Sequence, residues 1–452
     1  MTNMDTMLDS SKLQAFLQRL AILSAAGMFL DGFDLTVIAV ALPLLVKQWH
    51  IGAVMTGLVA ASAVVGMLVG SLVLGHLTDR LGRRAMYLFD LIFFVVFAVL
   101  TALSQNVWQL LTFRFLLGVG IGADYPISST LLSEFSPKKQ RGRLLTLLSV
   151  IWFVGSVAAY LAGIALLPLG VEAWRWMLVI GAAIALVVIL FRSSIPESPR
   201  WLVSQGRNTE ASAVLTHLSG QPIEVTGQQR QPHTWLQLFS RTLWQSTLFV
   251  CGFWFAYDVA YYGISIYAPT ILKPFIQGSQ AGADLGAAVI SLVGVVGAIL
   301  GLMLVDRWGR RPLILLGFAG LTSALVTLAL THDPAFGFLL ILFSSAILFG
   351  NFAGILDFVY ATELFPTELR AGASGLGTAV SRIGAILSIV VFPSLVKSLG
   401  LQHALWLFAG AGLFGFLVSL IMAPETKNRS LEEITTALDD TERTREPVSL
   451  RP

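Results

Sequence analysis

The chain has 452 residues, of which 56% are hydrophobic and 12% charged, with a mean hydropathy of +0.78 and a formal net charge of +3. Soluble domains carry roughly 25% charged residues, so the composition excludes a water-soluble globule of this size. The small net charge argues against a nucleic-acid partner, and the single cysteine, Cys251, excludes an internal disulfide.

A spanning helix requires about 20 mostly apolar residues. The first half offers six such spans, at about 17–46, 54–77, 85–104, 106–131, 142–168 and 173–192. The first is too long for a signal-peptide core and carries Asp31 and Asp34, so it reads as a permanent helix. A polar stretch follows at 193–241, with Gln221-Pro222, the run Gln228 to Pro232, and a helical pattern from Arg207 to Leu218. Six more spans lie at about 242–272, 283–305, 312–331, 335–361, 369–396 and 401–422. The expected organisation is an N-terminal bundle (1–192), a cytoplasmic linker (193–241), a C-terminal bundle (242–422) and a charged cytoplasmic tail (423–452), helical at Leu431–Leu438 and disordered beyond.

Orientation follows from charge. Arg80, Arg83 and Arg84 follow the second span, and Lys138, Lys139, Arg141 and Arg143 the fourth. Arg192, Arg200 and Arg207 follow the sixth, Arg307, Arg310 and Arg311 the eighth, and Arg370 the tenth. The opposite connections carry only Lys47, Arg175, Lys273 and Lys397. The positive-inside rule places both termini in the cytoplasm.

Three charged motifs occur twice. Asp79-Arg80-Leu81-Gly82-Arg83-Arg84 returns as Asp306-Arg307-Trp308-Gly309-Arg310-Arg311, an offset of 227 (306 − 79). Glu134, Pro137 and Arg141 return as Glu363, Pro366 and Arg370, offset by 229 (363 − 134), and Pro196-Glu197 returns as Pro424-Glu425, offset by 228 (424 − 196). One shared register across three motifs implies a duplicated membrane unit whose halves face a central site, the plan of a secondary transporter. Gly66/Gly70 and Gly297/Gly301, each four apart in an apolar span, imply close helix packing.

A charge at the centre of a span costs roughly 2.5–3.5 kcal/mol on insertion scales, so each one implies a cavity or a partner. Asp31, Asp34, Arg114, Asp124, Asp258 and Arg382 are such charges. Asp31 and Asp34 share a helix face, and Asp258 is the repeat equivalent of Asp31 (258 − 31 = 227). Trp254, Asp258 and Tyr262 form one aromatic–acid–aromatic stripe in the seventh span, suited to a polar pocket. In the fourth span Gly118, Gly120, Gly122 and Pro126 are expected to weaken the helix beside Asp124. Desolvation penalises a carboxylate anion, so aspartates sunk in spans have the chemistry of proton coupling. Arg382 keeps its charge and reads as an anion binder or as a counter-ion for Asp258. Arg114 reads as a partner for an acid of the first span or as a gating group.

The loop Gly75 to Arg84 resembles the signature loop of the major facilitator superfamily, although Leu302 stands where the first copy has Gly75. Pro196 to Leu202, and Pro424 to Lys427 with Leu431-Glu432-Glu433, resemble the conserved elements of its sugar-porter-like members. Asp31-Gly32-Phe33-Asp34, the run Gly118 to Pro126, and the Trp254/Asp258/Tyr262 spacing resemble the phosphate:proton symporter branch. That resemblance implies that Asp124, Tyr125, Trp254, Asp258 and Tyr262 line the substrate site, with Asp31 and Asp34 on the proton path. Two positions depart from the branch: Trp152 stands where a glutamine ligand is expected, and Arg382 where a lysine is expected. Bacterial metabolite transporters with a tryptophan in the fifth span and Ser-Arg-Ile-Gly in the eleventh, here Ser381 to Gly384, look similar.

The expectation is therefore an all-α membrane protein of the major facilitator fold, with twelve transmembrane helices in two pseudo-symmetric six-helix bundles. It is expected to be a proton-coupled symporter of a small polar, anionic metabolite, monomeric and multi-pass in the bacterial inner membrane. Inorganic phosphate, an organic acid such as an aromatic acid, or a sugar are the candidate substrates, and a non-transporting nutrient sensor is the further alternative. Expected substrate ligands are Asp124, Tyr125, Trp152, Trp254, Asp258, Tyr262 and Arg382, and expected proton-coupling groups are Asp31, Asp34, Asp124 and Asp258. Gating is expected of Asp79, Arg80, Arg83, Arg84, Arg114, Glu134, Arg141 and Glu197, and of Asp306, Arg307, Arg310, Glu363, Arg370 and Glu425. No cofactor or metal is implied, because His50, His76, His217, His233, His332 and His403 show no ligand spacing. The same lack of a nucleophile–base pair or metal cluster argues against an enzyme, and duplicated halves with closing loops argue against a channel.

Overall fold

A computed structural model describes residues 11–135, 138–193, 195–225, 235–332, 334–365 and 369–427, and among these residues the regular structure is all helical. Hydrocarbon offers no water to backbone N–H and C=O groups, so an apolar segment crossing it satisfies them within a helix. The first half forms α1 (Ser11–Trp49), α2 (Ala53–Leu81), α3 (Arg83–Ala102), α4 (Val107–Phe135), α5 (Lys138–Leu166) and α6 (Ala173–Arg192). Two short helices follow, α7 (Pro199–Ser204) and α8 (Asn208–Ser219), where the sequence suggested one. The second half forms α9 (Trp244–Ser265), α10 (Ala268–Leu272), α11 (Gln280–Trp308), α12 (Arg310–Leu330), α13 (Phe336–Gly354), α14 (Leu356–Glu363), α15 (Arg370–Leu399) and α16 (Leu401–Met422). With α9–α10 and α13–α14 each read as one span, these make the twelve membrane helices expected. The expected tail helix at Leu431–Leu438 lies outside the described residues.

One span among those described is sharply bent. α9 and the segment Ala268–Ile276, which begins with α10, meet at 51°. Pro269 supplies the cause: proline clashes with the carbonyl four residues earlier, and that residue, Ser265, is the last of α9. The tenth span passes from α13 to α14 through Ile355, whose backbone stays in the right-handed helical region at φ −66° and ψ −18°.

The expected weakening of the fourth span does not occur. α4 runs unbroken from Val107 to Phe135, past all three glycines. Gly118 and Gly122 instead serve packing: a Cβ at Gly118 would fall on the Ala63 carbonyl oxygen, and one at Gly122 on that of Met67. Gly66 and Gly70 of α2 reciprocate against the carbonyls of Phe115 and Val119. The α2–α4 seam is thus backbone against backbone, the close approach that small residues permit.

Helix neighbours obey the repeat. α1 packs on α5 as α9 packs on α15, α2 on α4 as α11 on α13, and α3 on α6 as α12 on α16. Between the halves the main seams are α2–α15 and α5–α11, which the repeat interchanges. The outer faces carry exposed Leu186, Leu190, Leu292, Leu417 and Ile421, an apolar belt suited to lipid.

Gly118→Val tests the α2–α4 seam. It is expected to destabilise the purified protein by roughly 1–3 kcal/mol through overpacking, read as a lower melting temperature. Gly410→Ala, with open space around its Cβ, is the control expected to leave melting unchanged.

Candidate functional site

Between the halves lies a cavity of about 60 Å³, several times the ~10–15 Å³ that one water requires. α9 lines it with Trp254, Tyr257, Asp258, Tyr261 and Tyr262, and α5 with Ser149, Trp152 and Phe153. Asn351 and Gly354 come from α13, Ile355 from the junction of α13 and α14, Asp357 and Phe358 from α14, and Arg382 from α15. Arg382 Nη1 donates to Tyr262 Oη at 2.6 Å and lies 3.5 Å from Asp258 Oδ2. Its guanidinium also sits 5.3 Å from the centre of the Tyr262 ring. Arg382 and Asp258 are 3% and 2% exposed, so the pair is removed from water and screening. Trp152 packs edge-on against Phe153 and Tyr261, with ring centres 5.0 and 6.2 Å away.

A smaller cavity shares Trp152, Phe153, Tyr261 and Tyr262 with the first. Hydroxyl groups mark it: Thr36 donates to Ser156 at 2.9 Å, and Ser156 lies 3.2 Å from Ser291.

Asp124 lies elsewhere, outside the residues that line either cavity. Arg192 of α6 grips it with two hydrogen bonds, 2.8 Å to Oδ1 and 3.1 Å to Oδ2. The same guanidinium reaches Asp90 of α3 at 3.3 Å and stacks 3.7 Å above the Tyr87 ring. Ser128 donates to Asp124 at 2.9 Å. Gly27 leaves room for this cluster, since a Cβ there would fall on Arg192 and Asp124. Asp34 pairs with Arg114 at 3.4 Å, the first-span partner that one reading of Arg114 anticipated. Asp31 is 2% exposed and its Oδ2 has no hydrogen-bond partner. The charges of Asp124, Arg192, Asp34 and Arg382 all act on it.

Three participants were missed by the sequence reading. Asp90 and Asp357 fall within expected spans, so the test that singled out Asp258 also marks them. Arg192 reads from position as a cytoplasmic flanking charge, yet it is fully buried. The last residue of a span can turn inward when an acid awaits it, and Asp124 is that acid.

The paired loop motifs prove to be one device. Glu197 accepts hydrogen bonds from the backbone N–H groups of Arg83, at 2.9 Å, and Arg84, at 3.2 Å. Glu425 does the same for Arg310, at 3.1 Å, and Arg311, at 3.0 Å. The first N–H groups of a helix lack internal partners and carry its positive end, so each carboxylate caps a helix, α3 or α12. Gly82 and Gly309 turn the chain into those helices at φ of 102° and 97°, a left-handed conformation that favours glycine. A Cβ at either would also strike the capping carboxylate. The acids thus partner the backbone of these arginines. Arg84 and Arg311 guanidinium groups donate onward to the carbonyls of Ser193 and Leu420. Arg310 bridges Glu363 at 2.9 Å and Asp306 at 3.1 Å, and the Arg307 carbonyl accepts from Lys427 at 2.6 Å. The side chains of Asp79, Arg80, Tyr125, Glu134, Arg141 and Arg370 lie outside the described parts of the structure.

The model of the sugar (and other) transporter family matches residues 20–438. The chain belongs to that family. It is a transport protein of the major facilitator superfamily, multi-pass in the membrane, and not an enzyme. It is 35% identical to the inner membrane metabolite transport protein YgcS of Escherichia coli K12 over 428 residues, covering 93% of this chain and 94% of that one. It is 31% identical over 432 residues to the arabinose-proton symporter of Bacillus subtilis 168, covering 91% and 93%. In three dimensions it resembles the E. coli xylose transporter XylE in a partially occluded inward-open conformation, with a TM-score of 0.77, 21% identity and coverage of 92% and 100%. The fold is thus that of twelve-helix major facilitators.

Arg192→Met leaves Asp124 and Asp90 without their cation. Breaking a buried pair costs about 3–5 kcal/mol, so this variant is expected to lose thermal stability or yield. Adding Asp124→Asn and Asp90→Asn should recover most of that loss, as measured by size-exclusion profile and melting temperature.

Proposed function

We propose that this transporter is a proton-coupled symporter of a small polar anion, with Asp258 as the proton acceptor and Arg382 as the substrate's counter-charge. One observation carries the reading: the buried Asp258–Arg382 pair faces the cavity between the halves. With Asp258 ionised, Arg382 is neutralised in place. Protonation of Asp258 removes its half of the pair and frees the guanidinium for an incoming carboxylate or phosphate. At 3.5 Å and an effective dielectric of about 20, the released interaction is on the order of 5 kcal/mol. Breaking the pair without a substitute carries a penalty of that order. Proton and anion together restore the match at Arg382, while either alone leaves a buried charge unpaired.

Alternating access then consists of one half rocking against the other along the α2–α15 and α5–α11 seams. Residues 1–192 and 242–422 act as the moving bodies, joined by 193–241, with both termini in the cytoplasm of a bacterial inner membrane and the protein monomeric. Asp31 and Asp34 lie on the proton path, Asp31 relaying between the Arg192 cluster and the cavity. The capped loops at Glu197 and Glu425 hold the cytoplasmic ends of the helices and serve gating. A neutral sugar is the second reading, favoured by the hydroxyl-lined smaller cavity and by similarity to a sugar symporter.

Asp258→Asn tests the mechanism in proteoliposomes loaded with a pH-sensitive dye and offered inorganic phosphate, benzoate or a pentose. The variant is expected to insert normally yet lose at least about tenfold in uptake driven by a pH gradient, together with the accompanying proton signal. Parent-like pH-dependent uptake would remove Asp258 from coupling. Uptake of the pentose alone would favour the sugar reading, and no uptake of any solute by the parent would favour a sensor.

A further inference from the structure

Asp357 is a cavity acid for which the coupling scheme has no use. It lies in the first turn of α14, two residues after Ile355. Gly354 lets this corner close on the Tyr257 ring, which a Cβ there would strike. The carboxyl group is 5% exposed and lines the cavity, and its Oδ1 has no hydrogen-bond partner. The charged groups that act on it are Asp258 and Arg382. Asp357 Oδ1 thus faces the cavity as an acceptor awaiting a donor. A buried acceptor left unmatched is costly, and a fold retains one where a ligand completes it.

We infer that Asp357 is a substrate ligand that selects a hydroxylated carboxylate: the carboxylate goes to Arg382 and a hydroxyl donates to Asp357. This rests on the reading of Arg382 as the anion-binding group. A bare anion gains Arg382 but leaves the Asp357 oxygen unmatched, whereas an anion with hydroxyl groups further along its chain also supplies the donor that oxygen lacks. Trp254 and Phe358, packed edge-on with centres 5.5 Å apart, supply flat walls for the C–H faces of such a chain. The inference separates two acids by task, Asp258 for coupling and Asp357 for selection.

A matched pair of six-carbon acids tests it: D-gluconate, with hydroxyl groups, and hexanoate, without. Affinities for purified full-length protein are read by isothermal titration, with D-glucitol as the polyol lacking a carboxylate. The parent is expected to bind gluconate at least about tenfold more tightly than hexanoate or glucitol. Asp357→Ala and Asp357→Ser should each cut the gluconate preference by about tenfold while hexanoate binding stays within about twofold. A preference unchanged in either folded variant, or an equal loss for both acids, overturns the role of Asp357 and leaves the anion reading standing. Failure of the parent to bind either acid, or glucitol bound as tightly as gluconate, overturns both. The parent's own comparison requires no variant, so a misfolded substitution does not shield the idea.

Discussion

Every charge inside this protein's membrane helices must find its opposite within the bundle, because lipid offers none. That constraint organises the interior into two clusters. In the first half Arg192 holds Asp124 and Asp90, with Arg114 holding Asp34 nearby. In the second Arg382 holds Asp258. The clusters differ in access. Arg192 is clasped by two acids, a ring and backbone carbonyls, and it touches neither cavity. Arg382 meets its acid at a longer distance and in a cavity wall. The first arrangement fixes helices to one another, and the second is the one to which the proposed mechanism assigns exchange of a protein partner for a solute.

The same division runs through the helices. Where rigidity is required, backbones touch, as along α2 and α4, with glycines removing everything between them. Beside the smaller cavity the chain bends instead, as α9 yields to α10 at Pro269. That bend lies in the second half, which also supplies most of the main cavity's polar groups. The halves share a packing plan but have diverged in task.

Much of this is legible in the sequence, for identifiable reasons. Helix existence follows from apolar length, and the duplicated plan follows from three charged motifs in one register. The cavity stripe Trp254/Asp258/Tyr262 is legible because a four-residue period puts all three on one face. The roles of Gly118 and Gly122 are not legible, because a glycine that weakens a helix and one that admits a neighbour look alike until the neighbour is placed. Asp124 illustrates the same limit: its chemistry suits a substrate ligand, but its partner Arg192 is 68 positions away (192 − 124) and disguised as a flanking charge. Asp357 sits in an apolar span, and which face of that span meets the cavity becomes visible only in three dimensions.

The closing loops carry one more implication. Glu197 and Glu425 hold main-chain amides at positions 83, 84, 310 and 311, and an amide is common to every residue except proline. The clasp is thus blind to the identity of the side chains that follow each glycine. Drift at those four sites could rewire the guanidinium contacts to Ser193, Leu420 and Glu363 while the anchor beneath them stayed intact, so the holding and the tuning of these loops can evolve separately.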